Sequence, residues 1–209
     1  SKQLVEEFGN IVAWEKEDKV EPGKPNIAGW ILPSHNIHRR YPEVAIFIPD
    51  TVGRACGGLC ASCQRLYDFQ SRRYNFDLEK LKPAKQWNQK LPQLLNYFKN
   101  DTQLRDILLT GGDALMSSDK SLKKILNEIY LMAAQKKDEN KLRLANHKYA
   151  EIVRVRIGTR LPVYLPQRIT LQLANSLSEF KEKAQKIGIQ QFVIQTHIQS
   201  PMEITPESE

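Results

Sequence analysis

Two kinds of segment alternate along the chain. The first is a short, nearly continuous apolar run. Val44-Ala45-Ile46-Phe47-Ile48 is one, ended by Pro49-Asp50. Asp106-Ile107-Leu108-Leu109-Thr110 ends in Gly111-Gly112, Ile152–Ile157 ends in Gly158, and Gln191–Gln195 leads to His197. Runs of this length predict parallel strands covered by other layers. The last two alternate more than the first two, so one face of each is expected to line a polar lumen.

The second kind has helical spacing. Lys85–Phe98 places Trp87, Leu91, Leu94, Leu95 and Phe98 on one stripe, with Pro83 and Pro92 as expected break points. Ser121–Lys136 repeats the pattern with Leu122, Ile125, Leu126, Ile129 and Met132, and Leu171–Lys186 with Leu173, Leu177, Phe180 and Ala184. The charged stretch 136–150 predicts a helix end and an exposed loop.

Strand and helix in alternation predict an α/β fold of about four parallel strands joined by crossover helices. Residues 1–43 are punctuated by Pro22-Gly23, Pro25, Gly29, Pro33 and Pro42. They are read as an irregular lead-in with one helical turn near Leu4–Phe8, and 44–209 as the domain that follows. Thr205-Pro206-Glu207-Ser208-Glu209 has the composition of a helix start. The expectation is a fragment of a larger (βα) barrel.

Composition narrows the class. The chain has 209 residues, 41% hydrophobic and 26% charged, which excludes collagen-like, disordered and small disulfide-stapled proteins. No apolar run approaches the roughly 20 residues that span a bilayer, so no membrane association is expected. Lys and Arg number 31 against 24 acids, a net charge of +7. These bases are scattered, and the nearest cluster, Lys136-Lys137, is followed by Asp138-Glu139. A solvated surface is the expectation, and nucleic acid is not an expected partner. A homo-oligomer remains open.

The chemistry sits in the cysteines. The chain has three, Cys56, Cys60 and Cys63, in a C-x3-C-x2-C pattern in the loop after the first apolar run. So tight a group argues against a secreted disulfide framework and for a reducing, cytoplasmic compartment. Three thiolates can hold three irons of a [4Fe–4S] cube and leave the fourth open to a ligand, whereas electron-transfer clusters use four cysteines. A structural zinc site, which needs four ligands, and unliganded thiols are the competing readings. Gly111-Gly112-Asp113 lets backbone approach a ligand closely and offers an acid to an ammonium group. Alone, such a motif is more often a turn and helix cap.

This context resembles the radical S-adenosylmethionine (SAM) superfamily, whose signature is the same cysteine spacing after the first barrel strand. The resemblance narrows to the lysine 2,3-aminomutase family. It rests on His38-Arg39-Arg40-Tyr41-Pro42, on Leu109–Leu115, on Arg156-Ile157-Gly158-Thr159-Arg160 continuing to Leu165-Pro166-Gln167-Arg168-Ile169-Thr170, and on Thr196-His197 with Pro201–Ser208. These segments run in family order. The resemblance implies a partial radical SAM barrel and a radical isomerase that moves an amino group between adjacent carbons of a lysine-like or other amino acid. It implies a [4Fe–4S] cluster on Cys56, Cys60 and Cys63, SAM as radical source, and pyridoxal phosphate (PLP) holding the migrating nitrogen. It assigns Gly111, Gly112, Asp113 and His197 to SAM, Arg40 to the PLP phosphate and Arg65 to the substrate carboxylate. A structural role in the barrel is the other reading of His197.

The sequence departs from the family in Gly57-Gly58-Leu59, Ala61-Ser62 and Leu66, and in Val44 or Ala45 where a second phosphate arginine is expected. No Schiff-base lysine or substrate-reading acids can be assigned within it. Two alternatives follow: a radical SAM protein of different chemistry without PLP, and a non-catalytic barrel relic that bears the cluster or binds nucleic acid.

Overall fold

The computed structural model describes residues 31–34, 36–49, 51, 56 and 86–208. The helical turn expected near Leu4–Phe8 lies outside them. Six strands form one sheet in chain order: β1 (Ile31–Ser34), β2 (Ile37–Arg39), β3 (Val44–Phe47), β4 (Asp106–Leu109), β5 (Arg154–Thr159) and β6 (Gln191–Thr196). β3 to β6 are parallel, and they are the four apolar runs. β1, β2 and β3 pair antiparallel.

That antiparallel edge corrects the reading of 31–39 as part of an irregular lead-in. Pro33 breaks the strand signal, yet an edge strand tolerates a residue with no N–H to give. Asn36, in the turn, makes the join firm. Its carbonyl accepts from Ile48 N at 2.8 Å, and its Nδ2 donates to Ile48 O at 2.9 Å. Ile37 beside it is 1% exposed.

Four helices follow: α1 (Trp87–Asn100), α2 (Asp119–Leu142), the single-turn α3 (Leu161–Tyr164) and α4 (Leu171–Ile187). α1, α2 and α4 fill the three crossovers between the parallel strands. The strand order never reverses, so successive crossovers stack their helices on one face, as in a barrel and unlike a doubly wound sheet. Pro92 does not break α1. It stands on the exposed side, and Asn88, whose carbonyl loses its bond, is exposed as well. Ser118 and Thr170 accept from Ser121 N and Leu173 N to cap α2 and α4.

The core lies between the helices and one face of the sheet. Phe47 meets Phe98 edge-on at 5.2 Å and stacks on Trp87 at 5.9 Å, while Phe180 meets Phe192 at 4.8 Å. Burial along β5 alternates: Val155, Ile157 and Thr159 are buried under the helices, and Arg154, Arg156 and Gly158 face the other way, half-buried. By register, Val44 and Ile46 on β3, Asp106 and Leu108 on β4, and Gln191, Val193 and Gln195 on β6 share that inner face. This helix-free face is the one that the alternation marks as polar.

Lys136 and Lys137 are not a solvated pair. The buried stripe of α2 runs on past Met132 and Ala133 to Lys136 and Asn140. Lys136, fully buried, donates to Phe98 O at 3.2 Å and Asp101 O at 2.7 Å, at the C-terminus of α1. Lys137 donates to Ile187 O at 2.8 Å, at the C-terminus of α4. Each ammonium meets the negative end of a different helix dipole and takes carbonyls the helix cannot satisfy itself. Among the described residues no helix is long and apolar enough to cross a membrane.

Candidate functional site

The C-terminal edge of the parallel strands gathers most of the chemistry-bearing motifs. After β3 the chain passes Ile48, Pro49 and Thr51 to Cys56, a half-buried free thiol. Cys60, Cys63 and Arg65 lie outside the described residues. The loop after β3 is tied to the loop after β4 by Thr51 Oγ1 and Ser117 Oγ, 2.7 Å apart.

β4 ends in the two glycines. Gly111 has φ 93° and Gly112 φ 66°, a left-handed backbone that side chains resist. Gly111 is required twice over, because a Cβ there would meet Ile48 Cγ1 at 2.6 Å. Its turn therefore packs directly on the residue that ends the neighbouring strand. Gly158 on β5 serves the same closeness, since a Cβ would come within 2.9 Å of Thr110 Oγ1.

Asp113 is a clip between strand ends. Its Oδ1 accepts from Leu115 N at 3.0 Å and from the Thr159 hydroxyl at 2.7 Å, and its Oδ2 accepts from Arg160 N at 2.6 Å. The carboxylate is 6% exposed and caps the short 3-10 turn Ala114–Met116. The turn-and-cap reading of the motif thus describes its geometry. Of four lone-pair sites, one on Oδ2 has no partner among the described residues. The acid shapes the loop.

Arg160 extends the clip to β6. Its guanidinium donates to His197 O at 3.0 Å, Gln199 Oε1 at 2.9 Å and Glu203 Oε2 at 2.6 Å, and it lies 4.3 Å over the Tyr164 ring. Hydrogen bonding from Arg160, then from the Gln199 N–H, holds the Glu203 carboxyl below its usual range. His197 enters this network through its backbone: N–H to Thr159 O at 3.3 Å, and carbonyl to Arg160. The residue itself is exposed at the strand edge. Arg168 closes the arrangement from below, donating to Leu115 O and Ser117 O, both at 2.9 Å.

The structure thus brings Gly111, Gly112, Asp113 and His197 to one edge of the sheet, together with Ile48 and Thr51, the residues that lead toward Cys56. It does not bring Arg40 there. Arg40 occupies the exposed turn between β2 and β3, at the N-terminal end of the parallel strands, beside its neighbour Tyr41. The adjacent Arg39 is the committed one, bound to Tyr97 Oη at 3.0 Å, to the Asp101 carboxylate and to Pro42 O. Thr159, Arg160 and Arg168 build the site's frame, although sequence reasoning gave them no role. Their signal was present in the Arg156–Arg160 and Leu165–Thr170 segments, but a spacing pattern does not say which strand end an arginine will bridge.

The half-buried Cys56 thiol fits a cluster ligand in donor type, and among the described residues no group of three metal-ligating side chains competes with it. No family model matches the chain. An L-lysine 2,3-aminomutase of Methanococcus maripaludis is 33% identical over 176 residues, covering 84% of this chain and 32% of that protein. An uncharacterized KamA family protein of Methanocaldococcus jannaschii is 33% identical over 201 residues, 93% of this chain and 27% of that protein. A glutamate 2,3-aminomutase of Clostridioides difficile is 30% identical over 194 residues, covering 93% and 37%. The chain spans about a third of the length of these curated relatives.

Proposed function

The chain belongs to the lysine 2,3-aminomutase family, and from that premise we propose that it supplies the cluster-bearing part of an amino-acid 2,3-aminomutase. The substrate class is a free α-amino acid, since the relatives' names include both lysine and glutamate. The observation that carries the proposal is the contact, at one sheet edge, of Ile48 and Thr51, which lead toward the cysteine motif, with the left-handed Gly111-Gly112 turn and Ser117.

Cys56, Cys60 and Cys63 would hold a [4Fe–4S] cluster, with SAM beside it and PLP in the whole protein. Together these cofactors supply a carbon radical and a way to carry nitrogen between adjacent carbons. The chain's own part is positional. Gly111 and Gly112 present backbone with no side chain in the way, so a methionyl amino group can approach. Asp113 fixes that turn against Thr159 and Arg160, and its remaining lone pair offers an acceptor to an ammonium. Arg160 sets the height of the loop carrying His197 and Glu203.

The test is anaerobic reconstitution of the whole chain with iron and sulfide. About four irons per chain are expected, all lost when Cys56, Cys60 and Cys63 are replaced by Ala. With SAM and a strong reductant, methionine and 5′-deoxyadenosine should form. A triple variant that keeps its iron–sulfur absorbance, or a reconstituted chain that neither binds nor cleaves SAM, would overturn the proposal.

A further inference from the structure

On the inner face below the edge just described, two arginines share one acid: Arg156 lies one layer down from Gly158, and Arg154 two layers down at the start of β5, level with Asp106 and Gln191. Arg156 Nε donates to Asp106 Oδ1 at 3.0 Å, and Arg154 NH1 contacts Asp106 Oδ2 at 3.4 Å. Each arginine has one further partner, an amide on β6: Arg154 Nε to Gln191 Oε1 at 2.6 Å and Arg156 NH1 to Gln195 Oε1 at 3.3 Å. The row therefore runs Gln191, Arg154, Asp106, Arg156, Gln195. It holds two cations and one anion. The NH2 nitrogens of both guanidinium groups have no partner among the described residues.

A row that only stabilised the sheet would match its charges. Like charges two residues apart on one strand, roughly 7 Å along it, repel unless something holds them. Asp106 does, and its side chain is only 8% exposed. It gives one oxygen to each arginine and so draws the two forks together. The arginines stay accessible, with side chains 44% and 22% exposed on the face away from the helices. Converging, partly desolvated guanidinium groups with spare N–H donors are the side-chain arrangement that reads an oxyanion.

We propose that Arg154 and Arg156 form an oxyanion subsite on the inner face, with Asp106 as the positioning residue. The subsite takes the carboxylate or phosphate end of a molecule whose other end lies at the strand edge. Arg156 stands two residues before Gly158 and so one layer below the Thr159–Asp113 clip. A ligand of amino-acid or coenzyme size spans that interval. The placement rests on the aminomutase reading, because that reading locates the reaction at this edge; the anion chemistry does not.

The experiment measures binding of inorganic phosphate, acetate, PLP and pyridoxal to the whole chain by calorimetry, with cluster content and SAM binding recorded on the same samples. PLP against pyridoxal, and phosphate against acetate, separate a phosphoryl source from a carboxylate one. Arg154→Gln with Arg156→Gln should weaken the best oxyanion probe by about tenfold or more. Asp106→Asn should tighten it, because the competing charge is gone while an amide oxygen still orients the forks. A merely structural acid would do the reverse. The charge-keeping pair Arg154→Lys and Arg156→Lys guards against misfolding and should retain binding between the two extremes. Equal affinity in wild type and the Gln double variant, or weaker binding in Asp106→Asn, would overturn the subsite. If the anion results hold while cluster and SAM binding fail, the subsite stands and the functional reading falls. If cluster and SAM binding hold and the anion results fail, the reverse is true.

Discussion

Two polar networks lie a few residues apart on the same strands, and they are built on opposite terms. At the strand edge, Asp113, Thr159, Arg160 and Glu203 are closed on one another. The acid takes three protein donors, and the arginine meets a carbonyl, an amide, a carboxylate and an aromatic ring. On the inner face, Arg154 and Arg156 share Asp106 and keep donors in hand. A closed network fixes where backbone goes, because every member is expensive to move. An open one leaves chemistry available. The contrast separates the groups that shape this site from those able to receive something in it.

The sharpest way to break the comparison is Asp113→Ala. It strands a buried hydroxyl and two backbone N–H groups, so the protein should lose about 2–4 kcal/mol of stability in urea melts. A near-neutral result would mean the clip is not closed. Arg160→Met comes next. The lost hydrogen bonds to His197 O and Gln199 Oε1 should cost about 1–3 kcal/mol, less than Asp113→Ala because no buried hydroxyl or backbone N–H is stranded. It should also return the Glu203 carboxyl upward toward its ordinary range, which carboxyl-region NMR titration reads.

Lys136 sharpens the contrast as a buried cation whose hydrogen bonds go to carbonyls at a helix end. Burial pushes its ammonium down to about 8 from an ordinary 10.5. Between those values the unfolded chain binds more protons than the folded one, so stability should rise with pH across that window. Below it the group contributes least. The urea midpoint of wild type should rise relative to that of Lys136→Met as pH climbs through this window, and parallel curves would contradict the burial argument. The smallest effect belongs to the open network. Arg154→Gln with Arg156→Gln should cost about 1–2 kcal/mol, because the arginines are partly exposed and the new amides can still donate to the buried Asp106. A loss as large as that of Asp113→Ala would show that the inner row is structural too.

Where the sequence reading succeeded and failed follows the same division. Strands covered on a face must be apolar along their length, so 44–48, 106–110, 152–157 and 191–195 were readable as strands, and the spacing in 85–98, 121–136 and 171–186 as helices. The β1–β2 edge was not readable. It is short, contains Pro33, and is held by Asn36 reaching Ile48, a contact with no local signature. Two adjacent arginines, Arg39 and Arg40, look alike in sequence; only the approach of Tyr97 and Asp101 from α1 distinguishes the buried one. Lys136-Lys137 looked like solvated charge because periodicity counts hydrophobes, and a lysine that caps a neighbouring helix sits on the apolar stripe without being one.

By itself the sequence determined the order of elements, the cysteine spacing and the glycines at the end of β4, because each is a local demand of backbone or ligand chemistry. It also carried the family resemblance. The tertiary structure decided which polar groups are spent and which are free. Asp113 and Arg160 became frame, Arg154 and Arg156 kept their donors, and Arg40 fell at the far end of the strands. Those outcomes depend on which strand end or helix terminus arrives alongside, a matter of packing that no single segment encodes.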